Sequence, residues 1–163
     1  ILAVPSNGLH SNGYSLVRYV LKNKKINLNN NLFLKKELLK PTKIYVREVL
    51  NLIDNNLIQS CANITGGGLG DNIKRIMPDG MVADIDLTKI KTKRIFKWLK
   101  RNNIDDKEMI RTFNCGVGFC LIIDPRNLDK VKKKFSKEYQ PYVIGKIISG
   151  KNKVKLSGKI DWS

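Results

Sequence analysis

Gly116-Val117-Gly118-Phe119-Cys120-Leu121-Ile122-Ile123 is a continuous apolar run, and its reading decides the fold. No polar residue interrupts it, so both faces of the strand it forms must be covered, which makes it a central strand. Two glycines lead into it. Glycine at a strand entry marks a close approach of backbone, to a ligand or, as preferred here, to a tightly packed neighbour. Outward from this run, strands are expected at Ile1 to Val4, Gln59 to Thr65, Met81 to Ile85, Tyr142 to Ile148 and Lys153 to Leu156. Helical periodicity marks Tyr14 to Lys22, Leu32 to Leu39, Leu69 to Met77, Thr92 to Arg101 and a short segment from Asp105. Thr42 is expected to cap a helix reaching Asn55, with Val46, Val49, Leu50 and Ile53 as its apolar face. Pro125 is expected to open a helix to about Lys137. Helices and strands mix without strict βαβ alternation, so the class is α+β, with helices packed on a mixed sheet.

The chain has 163 residues, the length of one domain, and no linker or repeat divides it. Its net charge of +17 needs a cause. Lysine supplies 24 of the 31 basic residues, and the chain also carries 17 Asn and 19 Ile. That combination marks an A/T-biased coding sequence. A nucleic-acid groove concentrates Arg and interleaves aromatics, whereas here only Lys130 to Lys134 and the stretch Lys146 to Lys159 are clustered. Long-range attraction of anionic substrates needs no patch and remains compatible with the charge. Apolar runs are too short to span a bilayer, and Ile1-Leu2-Ala3-Val4 lacks a basic leader, so a cytoplasmic, membrane-free protein is expected. Opening inside a strand without Met, the sequence reads as a fragment or cleavage product. Cys61, Cys115 and Cys120 form neither a CxxC pair nor, with a single His, a zinc set; free buried thiols are expected.

Two segments place small, polar residues just before an apolar-periodic stretch: Ser6 to Arg18, containing Asn12-Gly13, and Ile64-Thr65-Gly66-Gly67-Gly68-Leu69-Gly70-Asp71-Asn72. Glycines let a ligand reach the main chain, and a helix start leaves N–H groups without intrahelical partners. Two such starts point to a bulky anion such as a phosphorylated metabolite; two ordinary turns are the plain alternative. No Gly-Lys-Ser/Thr follows Gly66, and Asp71 breaks G-x-G-x-x-G, so neither standard nucleotide fingerprint is met. His10 is the one histidine, suited by its type to shuttle a proton or to bond a substrate; a solvated or capping role is the alternative.

Ser6 to Arg18, Leu38 to Val46, Ile64 to Asn72 and Glu108 to Gly118 together resemble, in order and spacing, the phosphoribosylformylglycinamidine cyclo-ligase family, also called aminoimidazole ribonucleotide synthetase. The resemblance runs along nearly the whole chain and departs at Asn7, where the family often has Ser. It implies a three-layer α/β/α domain corresponding to the C-terminal, substrate-binding half of a two-domain enzyme. The N-terminal half, which the resemblance makes the bearer of ATP, Mg²⁺ carboxylates and most homodimer contacts, has no counterpart in residues 1–163. The implied reaction closes the imidazole ring of aminoimidazole ribonucleotide from formylglycinamidine ribonucleotide: ATP phosphorylates the formyl amide oxygen, the amidine-side nitrogen attacks, and phosphate departs. Carried over residue by residue, His10, Ser11, Asn12 and Gly13 would face the substrate, with His10 the catalytic candidate. Thr65, Gly66, Gly67 and Gly68 would supply donors to a phosphate with Asn72 nearby, and Arg111, Thr112 and Asn114 would support them. The phosphate could belong to the ribonucleotide or to ATP. No metal ligands are expected in this chain, and alone it should not turn over. Rival readings are a related ATP-using enzyme (formylglycinamidine synthetase, thiamine-phosphate kinase or selenophosphate synthetase type) and, of another class, a basic nucleic-acid-binding module.

Overall fold

In a computed structural model describing residues 1–163, β4 (Val117–Ile122) lies inside a four-stranded sheet, between β2 (Ser60–Asn63) and β1 (Leu2–Pro5), with β5 (Tyr142–Val143) beyond β1. All three pairings are antiparallel. Alternation along the strands feeds two cores. Ala3, Cys120 and Ile122 join the larger one, while Leu2, Val4 and Leu121 join the smaller. The larger core is closed by α1 (Tyr14–Asn23), α2 (Leu32–Leu38), α4 (Gly68–Lys74), α5 (Arg94–Arg101) and α6 (Asp106–Thr112). The smaller is closed by α3 (Val46–Asp54) and α7 (Leu128–Lys132). The sheet is therefore covered on both faces, a three-layer α+β arrangement.

The mixed pairing resides in a second sheet. There β3 (Met81–Asp86) sits between antiparallel β6 (Gly145–Ser149) and parallel β7 (Val154–Ser157). The expected strand Tyr142 to Ile148 is broken at Ile144, which leaves the first sheet and enters the second. Its N–H donates to Ile1 O at 3.0 Å, and its carbonyl accepts from Asp86 N–H at 2.9 Å.

Two helices differ from expectation. α3 begins at Val46 behind Tyr45, not at Thr42, whose hydroxyl lies 3.4 Å from that of Ser11. Its inward residues are Tyr45, Val49 and Leu52, while Val46, Leu50 and Ile53 are 59%, 51% and 47% exposed. Apolar residues cover a broad arc of this helix, opposite Arg47, Glu48, Asn51 and Asp54, so spacing alone does not say which edge of the arc turns inward. The phenol of Tyr45, donating to Pro5 O at 2.7 Å, fixes the one that turns inward. The segment after Pro125 forms a 3₁₀ turn over Pro125–Asn127 and then only the five residues of α7. Beyond them Lys133-Lys134 offers no apolar surface, and the chain bends to bury Phe135. No helix is long and apolar enough to cross a membrane.

Candidate functional site

Gly13 precedes α1 at φ 73° and Gly67 precedes α4 at φ 92°, a backbone region that glycine enters without strain. Neither helix start is capped by a side chain. The amides of Gly13, Tyr14, Ser15 and Leu16, and those of Gly66, Gly67, Leu69 and Gly70, donate to no protein acceptor; Gly68 N–H is taken up by Thr65 O at 3.1 Å. The two loops open side by side, since Asn12 Oδ1 lies 3.7 Å from the place where a Cβ on Gly66 would stand.

Asn72 explains why the second loop presents amides. The residue is buried, and its Nδ2 donates to Gly68 O at 2.7 Å and to the carbonyls of Thr65 and Gly66 at 3.3 Å each. Its Oδ1 accepts from Thr65 Oγ1 at 3.1 Å. The carbonyls of Thr65, Gly66 and Gly68 are thus engaged by Asn72, while the N–H groups of Gly66, Gly67, Leu69 and Gly70 are left without a protein acceptor. Both polar ends of Asn72 and the hydroxyl of Thr65 are committed to this brace, so the expectation that Asn72 faces a ligand gives way to a bracing role. Asp71 opposes an anion here, with its Oδ2 2.9 Å from the Cβ position of Gly67.

Beneath both loops lies the end of α6. Gly13 stands against Thr112 and the ring of Phe113, and Gly68 against the carbonyl of Ile110. Thr112 Oγ1 and Arg111 Nη2 both bond Glu108, at 2.5 and 2.8 Å. Asn114 is buried; its Nδ2 donates to Gly8 O at 2.9 Å and its Oδ1 accepts from Gly116 N–H at 2.8 Å. These residues set the spacing between the two mouths. Gly116 and Gly118 prove to be packing glycines: a Cβ on Gly116 would stand 3.1 Å from Thr92 Cα, and the space of a Gly118 side chain is filled by Tyr45 and His10.

His10 does not stand ready as a shuttle. It is 6% exposed, its Nε2 accepts from Asn7 N–H at 3.2 Å, and its Nδ1 is buried without a partner. Burial, aided by the positive charge of Lys43, pushes its pKa down to about 4, so the imidazole is neutral. Its backbone, at φ 54°, and that of Ser11, at φ 58°, lie in the left-handed region, a local strain that packing must hold in place. The carbonyl of His10 accepts from Asn12 Nδ2 at 2.7 Å. Asn7, Tyr45 and Lys43 carry this loop, although none is an expected site residue and Asn7 marks only a departure from the family pattern. Asn7 Nδ2 donates to Pro41 O at 2.8 Å and Asn7 Oδ1 accepts from Lys43 N–H at 3.3 Å. The signal was faint, a turn-forming Asn-Gly and a Pro-Thr far apart in sequence.

Chemically, the arrangement offers uncharged N–H donors suited to a phosphate. No group of three His, Cys, Asp or Glu side chains comes together to hold a metal. Burial pushes the thiols of Cys115 and Cys120 up to about 12, while Cys61, expected to be buried, is half-exposed.

Residues 1–157 match the family model described as AIR synthase related protein, C-terminal domain. A phosphoribosylformylglycinamidine cyclo-ligase of Vigna unguiculata is 40% identical over 156 residues, which cover 92% of this chain and 40% of that protein. One of Staphylococcus saprophyticus is 37% identical, over 97% of this chain and 48% of that protein. The chain thus spans less than half the length of these relatives. Among solved structures, thiamine monophosphate kinase of Aquifex aeolicus aligns with TM-score 0.55 at 16% identity, over 98% of this chain and 51% of that one. T. maritima PurL, solved in complex with FGAR, aligns with TM-score 0.53 at 12% identity, over 91% of this chain and 23% of that one. At such identities the likeness is one of fold. Uncapped glycine mouths on a two-faced sheet, together with a family match along nearly all of its length, give the conclusion that this chain belongs to the AIR synthase related proteins, whose C-terminal domain it carries.

Proposed function

We propose that this chain is the substrate-holding part of an enzyme that closes formylglycinamidine ribonucleotide to aminoimidazole ribonucleotide at the expense of ATP. The names of its relatives supply the reaction. The observation that carries the site is the unpaired amide set of Gly66, Gly67, Leu69 and Gly70 beside Asn12. A phosphate held there accepts several charge-assisted hydrogen bonds, each worth about 1.5–3 kcal/mol, against about 0.3–1 kcal/mol from the helix dipole. Ser11 and Asn12 then lie along the substrate, and neutral His10 positions them from below. In this reading ATP and its metal are held by the part of the relatives' length that lies beyond the match, which is also where homodimer contacts belong.

The test is a substrate-dependent assay of ADP release and ring product. Joined to the remaining length of a cyclo-ligase relative, the chain should support both; by itself it should support neither. Product from this chain alone, or a joined enzyme active only on thiamine phosphate or selenide, would overturn the reading.

A further inference from the structure

Seventeen asparagines occur in the chain, and only two, Asn7 and Asn12, precede glycine. A following glycine, lacking Cβ, leaves its nitrogen free to approach the asparagine Cγ. The two sites differ in what restrains them. Asn7 is bonded at both ends of its amide, to Pro41 and Lys43, and Gly8 after it is buried. Asn12 is partly exposed, its Oδ1 is unbonded, and its only side-chain bond runs to His10 O two residues back. The N–H of Gly13 donates to no acceptor. No distant group bonds the Asn12 amide; Gly13 is packed on one side by Thr112 and Phe113, but its nitrogen is engaged by no acceptor.

We propose that Asn12-Gly13 is a site of spontaneous covalent modification, at which the Asn12 amide is converted to a carboxylate while Asn7-Gly8 is spared. The Gly13 nitrogen gives its proton to solvent and bonds to Asn12 Cγ. The Cγ–Nδ2 bond breaks, and ammonia leaves carrying a proton returned by solvent. One water then opens the five-membered imide at either carbonyl, yielding aspartate or its β-linked isomer. No oxidant or enzyme is required.

The consequence, which rests on the anion-binding reading above, is a change of sign at the mouth. A new carboxylate replaces an amide that lies 3.7 Å from the Cβ position of Gly66 and stands with Asp71 against any phosphate. It also forfeits the donation to His10 O. Time would thus close the site by chemistry alone.

The experiment is prolonged incubation of the chain in mildly alkaline buffer, followed by peptide mass mapping and titration with inorganic phosphate. Conversion at Asn12 should run at least about tenfold faster than at Asn7, a barrier difference of about 1.4 kcal/mol. Asn12→Gln, which keeps an amide on a longer arm, should abolish it there. Retention of the amide at position 12, or equal conversion at position 7, overturns the proposal. Phosphate binding by Asn12→Asp should be about tenfold weaker than by the parent. Conversion at position 12 with phosphate binding unchanged in Asn12→Asp upholds the modification site and removes the anion-binding reading instead.

Discussion

Asn72, Asp71 and His10 each have a role that the residue type alone leaves undecided. Asn72→Ala removes a buried brace and strands three carbonyls, so it should destabilise the chain by about 2 kcal/mol and weaken phosphate binding as well. Chemical denaturation and a phosphate titration read the two effects separately. Asp71→Asn removes the carboxylate beside Gly67 and should tighten phosphate binding several-fold, an effect that added salt diminishes. His10 gives a pH signature. Its native pKa, near 4, lies below the unfolded value of about 6.5, so the unfolded chain takes up the proton first. Its contribution is intact above about pH 6.5 and is lost as the pH falls through 4, to a total on the order of 3 kcal/mol. His10→Asn should flatten the stability profile in that window, as measured by urea midpoints across pH. A sequence discloses that His10 sits in a polar loop. It cannot disclose that Gly118, more than a hundred residues on, leaves space for its ring.

At the scale of elements, the strands were legible because β1 and β4 are short apolar runs bounded by turn residues, and because Asp84 and Asp86 alternate with apolar residues in β3. Both glycine-led helix starts were legible for the same reason, since few residues other than glycine tolerate φ 73° or 92°. The face of α3 was not, because Val46-Leu50-Ile53 and Tyr45-Val49-Leu52 satisfy the same spacing, and only docking against Leu2, Val4 and Leu121 separates them. Substitution should show the difference in this chain. Leu52→Ala should cost about 2–4 kcal/mol, whereas Leu50→Ala should change stability by less than about 0.5 kcal/mol. A larger loss for Leu50→Ala than for Leu52→Ala would mean that the helix is turned the other way. The glycine loop offers a second contrast. Gly68→Ala drives a Cβ into the Ile110 carbonyl and should abolish cooperative folding or cost more than about 3 kcal/mol. Gly67→Ala meets the movable side chain of Asp71 and should cost about 1 kcal/mol, chiefly from its positive φ.

The whole molecule joins a rigid scaffold to an open mouth. Antiparallel β1 and β4 carry cores on both faces, and the end of α6 is wedged under two loops that contribute amides but little charge. The net charge of +17 is spread over the surface, where it can draw anions in without selecting among them. In the proposed reading, selection falls to the loops. Backbone amide NMR during titration with a ribonucleoside 5′-monophosphate and with inorganic phosphate tests this most directly. The account predicts saturable shifts centred on Gly66, Gly67, Leu69 and Gly70, with Asn12 and Gly13 following and the lysine cluster from Lys146 to Lys159 unmoved. Shifts spread over the lysines with the glycine loop silent would contradict it.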